Sequence, residues 1–398
     1  MTKKSIMFFG WLFYPKIGGA ETILLNQARE LVKRGYKVSV LTSVLNDEVE
    51  KEEEIFGIKV FRRKYVDPRS QQNESIIRND VIKILNQEKP DIFHFHNGSY
   101  PSGGSDKSIG VKTILFIYKT IKEYGIPMVE HAHNAQLKNP ETTKPLRDLE
   151  WDYLICVSDF VRKEWKILGT KAKKIKVVYN GIDADKFVIA QKSQIMDKIK
   201  KNGKVVLFSP ARLFSLTTGQ LNKQKNLALV FEALELLIKE KTNEFVLVSI
   251  SNEVYGGEVK RKAKEKMEKM IKEKGLEGKV ELIPVIDPDE MPQYYAGCDI
   301  VCVPALYETF GLMYLEAMAA GKVVIASNTG GPKEFIVDGE NGYFVDPENA
   351  IKLATLLKTL INDQKLRERI GKNAAKDAKK YSVKLMVDKI IEIYKEIE

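Results

Sequence analysis

Three cysteines and four histidines are all that 398 residues hold of the usual metal-ligating side chains other than carboxylates. Cys156, Cys298 and Cys302 each lie in an apolar, strand-like run with no ligand spacing. That pattern excludes a disulfide scaffold and suits reduced core residues in a cytoplasmic protein. No apolar run reaches the ~20 residues that a transmembrane helix needs. Lys3 and Lys4 before an apolar stretch imitate a signal peptide, but no small-residue cleavage site follows. The stretch runs on into Gly18-Gly19-Ala20-Glu21 and a helical pattern, so a buried first strand is expected there. Also missing is the G-x-G-x-x-G fingerprint, which disfavours a nicotinamide cofactor. Basic and aromatic residues do not interleave as nucleic-acid recognition would require.

What is present is ordinary for a globular chain of two domains, with 44% apolar and 30% charged residues. The net charge of +10 is uneven, because residues 1–180 hold 30 Lys and Arg against 22 Asp and Glu. Such a half could meet an anionic acceptor or an anionic inner-membrane face peripherally. Ordinary solvated helix faces account for the same lysines.

Short apolar runs alternate with amphipathic stretches, which reads as repeated β-α units and parallel sheets. In the first half the spacing predicts strands over 5–9, 37–41, 59–62, 91–94, 127–130, 153–157 and 175–179. Helices are predicted over 21–34 and 107–124. A second series of strands is predicted over 204–209, 244–250, 279–283, 300–303, 323–326 and 343–345. The polar stretch 190–203 reads as a linker, and 257–274 as one exposed Lys- and Glu-rich helix. A last helix covers about 383–397.

Glu308 and Glu316 stand eight positions apart around Phe310-Gly311-Leu312, after a predicted buried strand and at the start of a short apolar helix. Carboxylates only accept hydrogen bonds and so grip sugar and ribose hydroxyls. The N–H groups of a helix start near Gly311 and Leu312 favour an anion such as a diphosphate. Gly18-Gly19 opens a helix after the first strand in a comparable way, or is simply a tight turn. The histidines form two patches, His94 with His96 and His131 with His133, each pair on one face of its strand. Four imidazoles suggest zinc, yet no Cys or carboxylate framework completes a site, so hydrogen-bonding roles are preferred and no metal is assigned. Arg212 is followed downstream by Lys223 and Lys225, Arg offering a planar fork and Lys a compact point charge.

The segment from Pro304 to Gly321, with its E-x7-E spacing, resembles the retaining glycosyltransferases of family 4. The resemblance extends to Gly18-Gly19, to Arg212 with Lys225, and to the turn Val178-Tyr179-Asn180-Gly181-Ile182-Asp183, and so covers nearly the whole chain. It implies an α/β protein of GT-B fold, two Rossmann-like domains facing a cleft. Residues 1–184 with 383–398, the helix crossing back, would form the acceptor domain, and residues 185–382 the nucleotide-sugar domain. By this resemblance Gly18, Gly19, Arg212, Lys225, Glu308, Phe310, Gly311, Leu312 and Glu316 bind the donor. Glu308, His133, Arg212 and Lys225 are the catalytic set, and His96, Asn97, His131 and Asn134 meet the acceptor. His131 remains a rival of His133 for the donor sugar, and Lys223 of Lys225 for the diphosphate. Asp183-Ala184-Asp185 spells D-x-D, the metal motif of another glycosyltransferase fold, but its place in a turn argues against a metal. The implied reaction moves a sugar from a nucleoside diphosphate sugar, UDP by family habit, to a hydroxyl of a small-molecule, glycan or lipid-linked acceptor. It retains configuration and needs neither cofactor nor metal.

Two departures from the family pattern stand out. Pro210-Ala211 replaces a glycine before Arg212, and residues 214–224 lengthen the gap to Lys225. That polar loop is expected to close over the cleft and shape donor or acceptor choice. A glycoside hydrolase also uses two carboxylates, ~5–9.5 Å apart, but Glu316 inside a helix behind an anion-binding turn suits ribose better. A sugar-nucleotide epimerase on a similar fold, or a non-catalytic sugar-nucleotide-binding protein, is the alternative. The epimerase would form product without an acceptor.

Overall fold

The computed structural model describes residues 4–15, 18–44, 50–67, 73–98, 107–134, 140–200, 203–211, 222–250 and 258–397. The chain divides into two compact units, Met1–Gly181 with Val383–Glu398, and Ile182–Ser382. The first unit carries β1 (Ser5–Gly10), β2 (Lys37–Ser43), β3 (Lys51–Ile55), β4 (Ile58–Arg63), β5 (Ile92–His96), β6 (Met128–Ala132), β7 (Tyr153–Cys156) and β8 (Ile175–Val177). They form one sheet in the order β3-β4-β2-β1-β5-β6-β7-β8. Every pair is parallel except β3 with β4.

Strand alternation sorts the side chains onto two covered faces. Met7, Phe9, Phe93 and Phe95 pack with Ile77, Val81, Ile114 and Ile121 of the helices Glu74–Glu88 and Lys107–Glu123. On the other face Phe8 packs against His94 and His96, and His94 meets Gln27 of helix Gly19–Lys33 and Tyr394 of helix Val383–Glu396. The C-terminal helix therefore belongs to the first unit. Asp388 on that helix pairs with Arg34.

In the second unit β9 (Val205–Ser209), β10 (Phe245–Ile250), β11 (Val280–Ile283), β12 (Ile300–Val303), β13 (Val323–Ser327) and β14 (Tyr343–Val345) form a second sheet. Its order is β11-β10-β9-β12-β13-β14, parallel throughout. Leu207, Leu247, Ile300, Cys302 and Ile325 pack with Leu234, Met267, Leu353 and Leu357 from the covering helices. All three cysteines are buried and free, and burial pushes each thiol up to about 12, which keeps them inert.

Three elements differ from the sequence reading. The charged run Lys51–Ile55 is a strand, because Phe56 (φ 55°) and Gly57 (φ 75°) make a two-residue hairpin turn into β4. Cross-strand pairs of Arg62 with Glu53 and Arg63 with Glu52 replace the apolar alternation that the sequence reading sought. The expected linker contains a helix, Gln194–Lys200, whose Met196 is fully buried. Gly297 makes room for it, since a Cβ there would lie 2.4 Å from the Cβ of Met196. Helix Glu258–Glu273, read as exposed, seats Met267 in the core.

Helix Gln364–Ala378 crosses the end of helix Leu312–Ala319 so closely that a Cβ on Gly371 would stand 2.1 Å from the carbonyl oxygen of Gly321. Backbone on one side and helix on the other leave nothing flexible to yield. Gly371→Ala is expected to destabilise the protein by about 1–3 kcal/mol, as overpacking does, measured by urea denaturation. An unchanged midpoint would show that this crossing is not tight.

Candidate functional site

Below β12 the chain turns through Pro304 to Gly311 before helix Leu312–Ala319 begins. Gly311 caps that helix at φ 95°, where a Cβ would meet the Tyr314 ring at 2.5 Å. Gly311 brings no capping side chain, and of the first-turn N–H groups that of Tyr314 donates to the Gly311 carbonyl at 3.0 Å. Gly330 and Gly331 lie directly against this turn. A Cβ on Gly330 would come within 2.0 Å of the Glu308 carbonyl oxygen, and one on Gly331 within 2.2 Å of that of Thr309. The Gly331 N–H donates to the Glu308 carbonyl at 2.9 Å.

From the other side the short turn Lys223–Lys225 is tied to the same loop. The Leu306 N–H donates to the Gln224 carbonyl at 2.8 Å, and Gln224 Nε2 donates to the Tyr307 carbonyl at 3.0 Å. These bonds bring Lys225 Nζ to 2.7 Å from Glu308 Oε2, a pair only 24% and 14% exposed. Lys223 is exposed. The geometry thus favours Lys225 as the cation beside the turn. Phe310 is buried against Phe335 and holds the turn by packing. Glu316, one and a half turns into the helix, accepts from the Tyr295 hydroxyl at 2.7 Å. Burial raises its pKa above the ordinary carboxylate value, and the Tyr295 hydroxyl opposes the rise. Tyr295 was invisible to sequence reasoning, because nothing in helix Met291–Gly297 marks it as a partner of a residue 21 positions on.

In the first unit the four histidines form one buried stack. His96 lies opposite His131 in the β5–β6 register. Ring centroids are 4.9 Å apart for His94 and His96, 4.8 Å for His96 and His131, and 4.6 Å for His131 and His133. His96 Nδ1 and His133 Nε2 are 2.9 Å apart. At the far end His94 Nδ1 meets the Tyr394 hydroxyl at 2.5 Å. Asn97, at φ 53°, accepts the His133 N–H on its side chain at 2.8 Å and the Trp11 indole N–H on its carbonyl at 3.0 Å. His131 is 0% exposed and His133 6%. His131 therefore offers an acceptor no surface in this structure, while Asn134 at the strand end is half-buried. His94, His96 and His131 present ligand atoms within 4.8 Å of one another.

Residues 17–186 match the family described as Glycosyltransferase Family 4, and residues 198–377 that described as glycosyl transferases group 1. The chain belongs to the family 4 glycosyltransferases.

An uncharacterised glycosyltransferase of Methanocaldococcus jannaschii is 26% identical over 98% of both chains. A sulfoquinovosyl transferase of Arabidopsis thaliana is 28% identical over 78% of this chain and 57% of that one. Among solved structures, Anabaena HepE in complex with UDP and glucose superposes with a TM-score of 0.74 at 20% identity, covering 99% of this chain and 100% of that one. Sucrose-phosphate synthase from Thermosynechococcus elongatus gives 0.78 at 15% identity over 99% of each. These likenesses share the GT-B fold of two Rossmann-like domains.

In this glycosyltransferase the expected donor residues Lys225, Glu308, Phe310, Gly311, Leu312 and Glu316 gather at one loop and helix of the second unit. Gly18 caps helix Gly19–Lys33 in the first unit, its carbonyl accepting from the Thr22 N–H and hydroxyl. Arg212 and most of the 214–224 loop lie outside the described residues. No described helix is long and apolar enough to cross a membrane.

Burial depresses the histidines of the glycosyltransferase. His94 and His133 fall to about 3, and His96 and His131 well below 6.5, with neighbouring imidazoles adding to the effect for all but His133. The unfolded chain therefore takes up protons below about pH 6.5 that folded His94 and His133 refuse until about pH 3 and that folded His96 and His131 also resist. Stability must fall as pH drops through that window, by up to ~1.4 kcal/mol per pH unit for each histidine. Urea midpoints between pH 7 and 4 should show a steeper decline in the wild type than in His94→Asn. Equal slopes would mean that the stack titrates normally.

Proposed function

We propose that the chain is a retaining glycosyltransferase that moves a sugar from a UDP-sugar to an acceptor hydroxyl. The observation that carries this reading is the Lys225–Glu308 pair at 2.7 Å, set on the glycine-lined turn at a helix N-terminus. A carboxylate for sugar hydroxyls, an ammonium for phosphate and a helix start without a capping side chain stand together. That is the set a nucleoside diphosphate sugar needs. The UDP-bound Anabaena neighbours agree with the choice of nucleotide.

In this reading Glu308 grips the donor sugar, Glu316 the ribose, and Gly18 and Gly19 admit the diphosphate to a helix start. Lys225 and Arg212 neutralise the charge that develops as the bond from the anomeric carbon to phosphate oxygen breaks. The acceptor oxygen attacks from the same face, and its proton passes to the departing phosphate. His133 contacts the donor sugar, and Asn97 and Asn134 border the acceptor. A divalent ion has no part in the transfer, so rates with and without added Mg²⁺ should match.

A thermal-shift panel of UDP-, GDP- and ADP-sugars tests the donor directly, since a ligand of the folded state raises its stability. UDP-sugars should raise the melting temperature most. A flat response to all would overturn the reading. Kinetics separate the two carboxylates. Glu308→Ala should lower kcat by about 10²–10³-fold, the scale of a lost transition-state contact. Glu316→Ala should mainly raise KM for the donor, by about tenfold for ~1.4 kcal/mol. Full turnover by Glu308→Ala at saturating donor would remove it from the mechanism.

A further inference from the structure

The histidine stack leaves nitrogen atoms that the fold does not satisfy. His94 Nε2, His96 Nε2 and both ring nitrogens of His131 are buried without a hydrogen-bond partner. The opposite nitrogens of the first two are engaged, His94 Nδ1 by the Tyr394 hydroxyl and His96 Nδ1 by His133 Nε2. That division is what metal ligation through Nε2 demands, because the ligating imidazole must carry its proton on Nδ1 and give it to an outer acceptor. The Tyr394 oxygen and His133 Nε2 stand where those acceptors are needed. His94 and His96 alternate along β5 and His131 on β6 stands opposite His96 in the register, so all three share one face of the sheet.

We propose that His94, His96 and His131 bind one zinc-class ion inside the first unit. The ligand atoms lie within 4.8 Å of one another. Zinc at about 2.0–2.1 Å from each nitrogen sets them about 3.3 Å apart in tetrahedral geometry. The rings must therefore converge by at most about 1.5 Å, a side-chain adjustment. Three neutral imidazoles select a late first-row ion over Mg²⁺ or Ca²⁺, which prefer oxygen. With ligands at most 3% exposed, the ion is sealed from substrate and braces β5 against β6. It takes no step in the transfer. His133 and Tyr394 are positioning residues, acting through the imidazoles they hold.

The test uses the full chain without a histidine tag, stripped by a chelator and titrated with Co²⁺. One equivalent should develop the visible ligand-field absorption of tetrahedral cobalt, Zn²⁺ should displace it, and Mg²⁺ should not. Zn²⁺ at a hundredfold excess over Kd should raise Tm by roughly 5–10 °C. His96→Ala and His131→Ala should lose the absorption. His133→Ala should keep it while weakening Co²⁺ about 10–100-fold, the scale of a lost outer hydrogen bond. Should the alanine variants fail to fold, the wild-type titration decides by itself. Folded wild type that shows neither cobalt absorption nor a zinc-induced Tm rise overturns the proposal. So does cobalt absorption that persists unchanged in a folded His131→Ala.

Discussion

A carboxylate can hold one position only if its own backbone is held still, and at Glu308 glycine against carbonyl oxygen provides the hold. Gly330 and Gly331 approach the Glu308 and Thr309 carbonyls to distances that no Cβ would tolerate. The gain is one direct N–H to carbonyl bond and a turn that cannot slide. Everything else at the loop hangs from this contact. Phe310 seats under Phe335, Gly311 enters the left-handed region and starts the helix, and the Lys223–Lys225 turn is tied on from the far side. The charge pair of Lys225 and Glu308 is then a consequence of backbone geometry, with neither side chain free to wander as a surface pair would.

The first unit solves a different problem. Its sheet is covered on both faces, yet one covered face carries four imidazoles where apolar side chains would suffice. Buried polar groups are costly unless satisfied, at about 1–3 kcal/mol for each unmet donor or acceptor. The stack meets part of the demand through the contacts of His96 with His133 and His94 with Tyr394. Tyr394 comes from the last helix, so the C-terminal end of the chain supplies a polar partner to a strand about 300 residues earlier. Helix Val383–Glu396 is thereby matched to this unit by chemistry as well as by Ile390 and Ile393 in its apolar stripe.

Much of this was legible in the order of the residues. Parallel strands buried on both faces read as short apolar runs, and thirteen of the described strands announce themselves that way. The fourteenth, Lys51–Ile55, does not, because an edge strand held by a two-residue turn and by arginines across the ladder needs no apolar face. The helix in the expected linker was hidden for a related reason. One buried methionine against one glycine is too small a signal for periodicity to carry. At the site, glycines and carboxylates at fixed spacing were readable because each has a local reason to be where it is.

By itself, then, the sequence determined the alternation of strands and helices, the family, and which short segments bear carboxylates, cations and imidazoles. These follow from local pattern and from residue chemistry. Only the tertiary structure decided which of those groups meet. It set Lys225 rather than Lys223 beside Glu308, gave Glu316 a tyrosine from another helix, and closed His131 inside the sheet's covered face. The physical reason is that pairing and burial depend on register, crossing distance and the neighbours on other elements. None of these is written within reach of a single residue's local sequence.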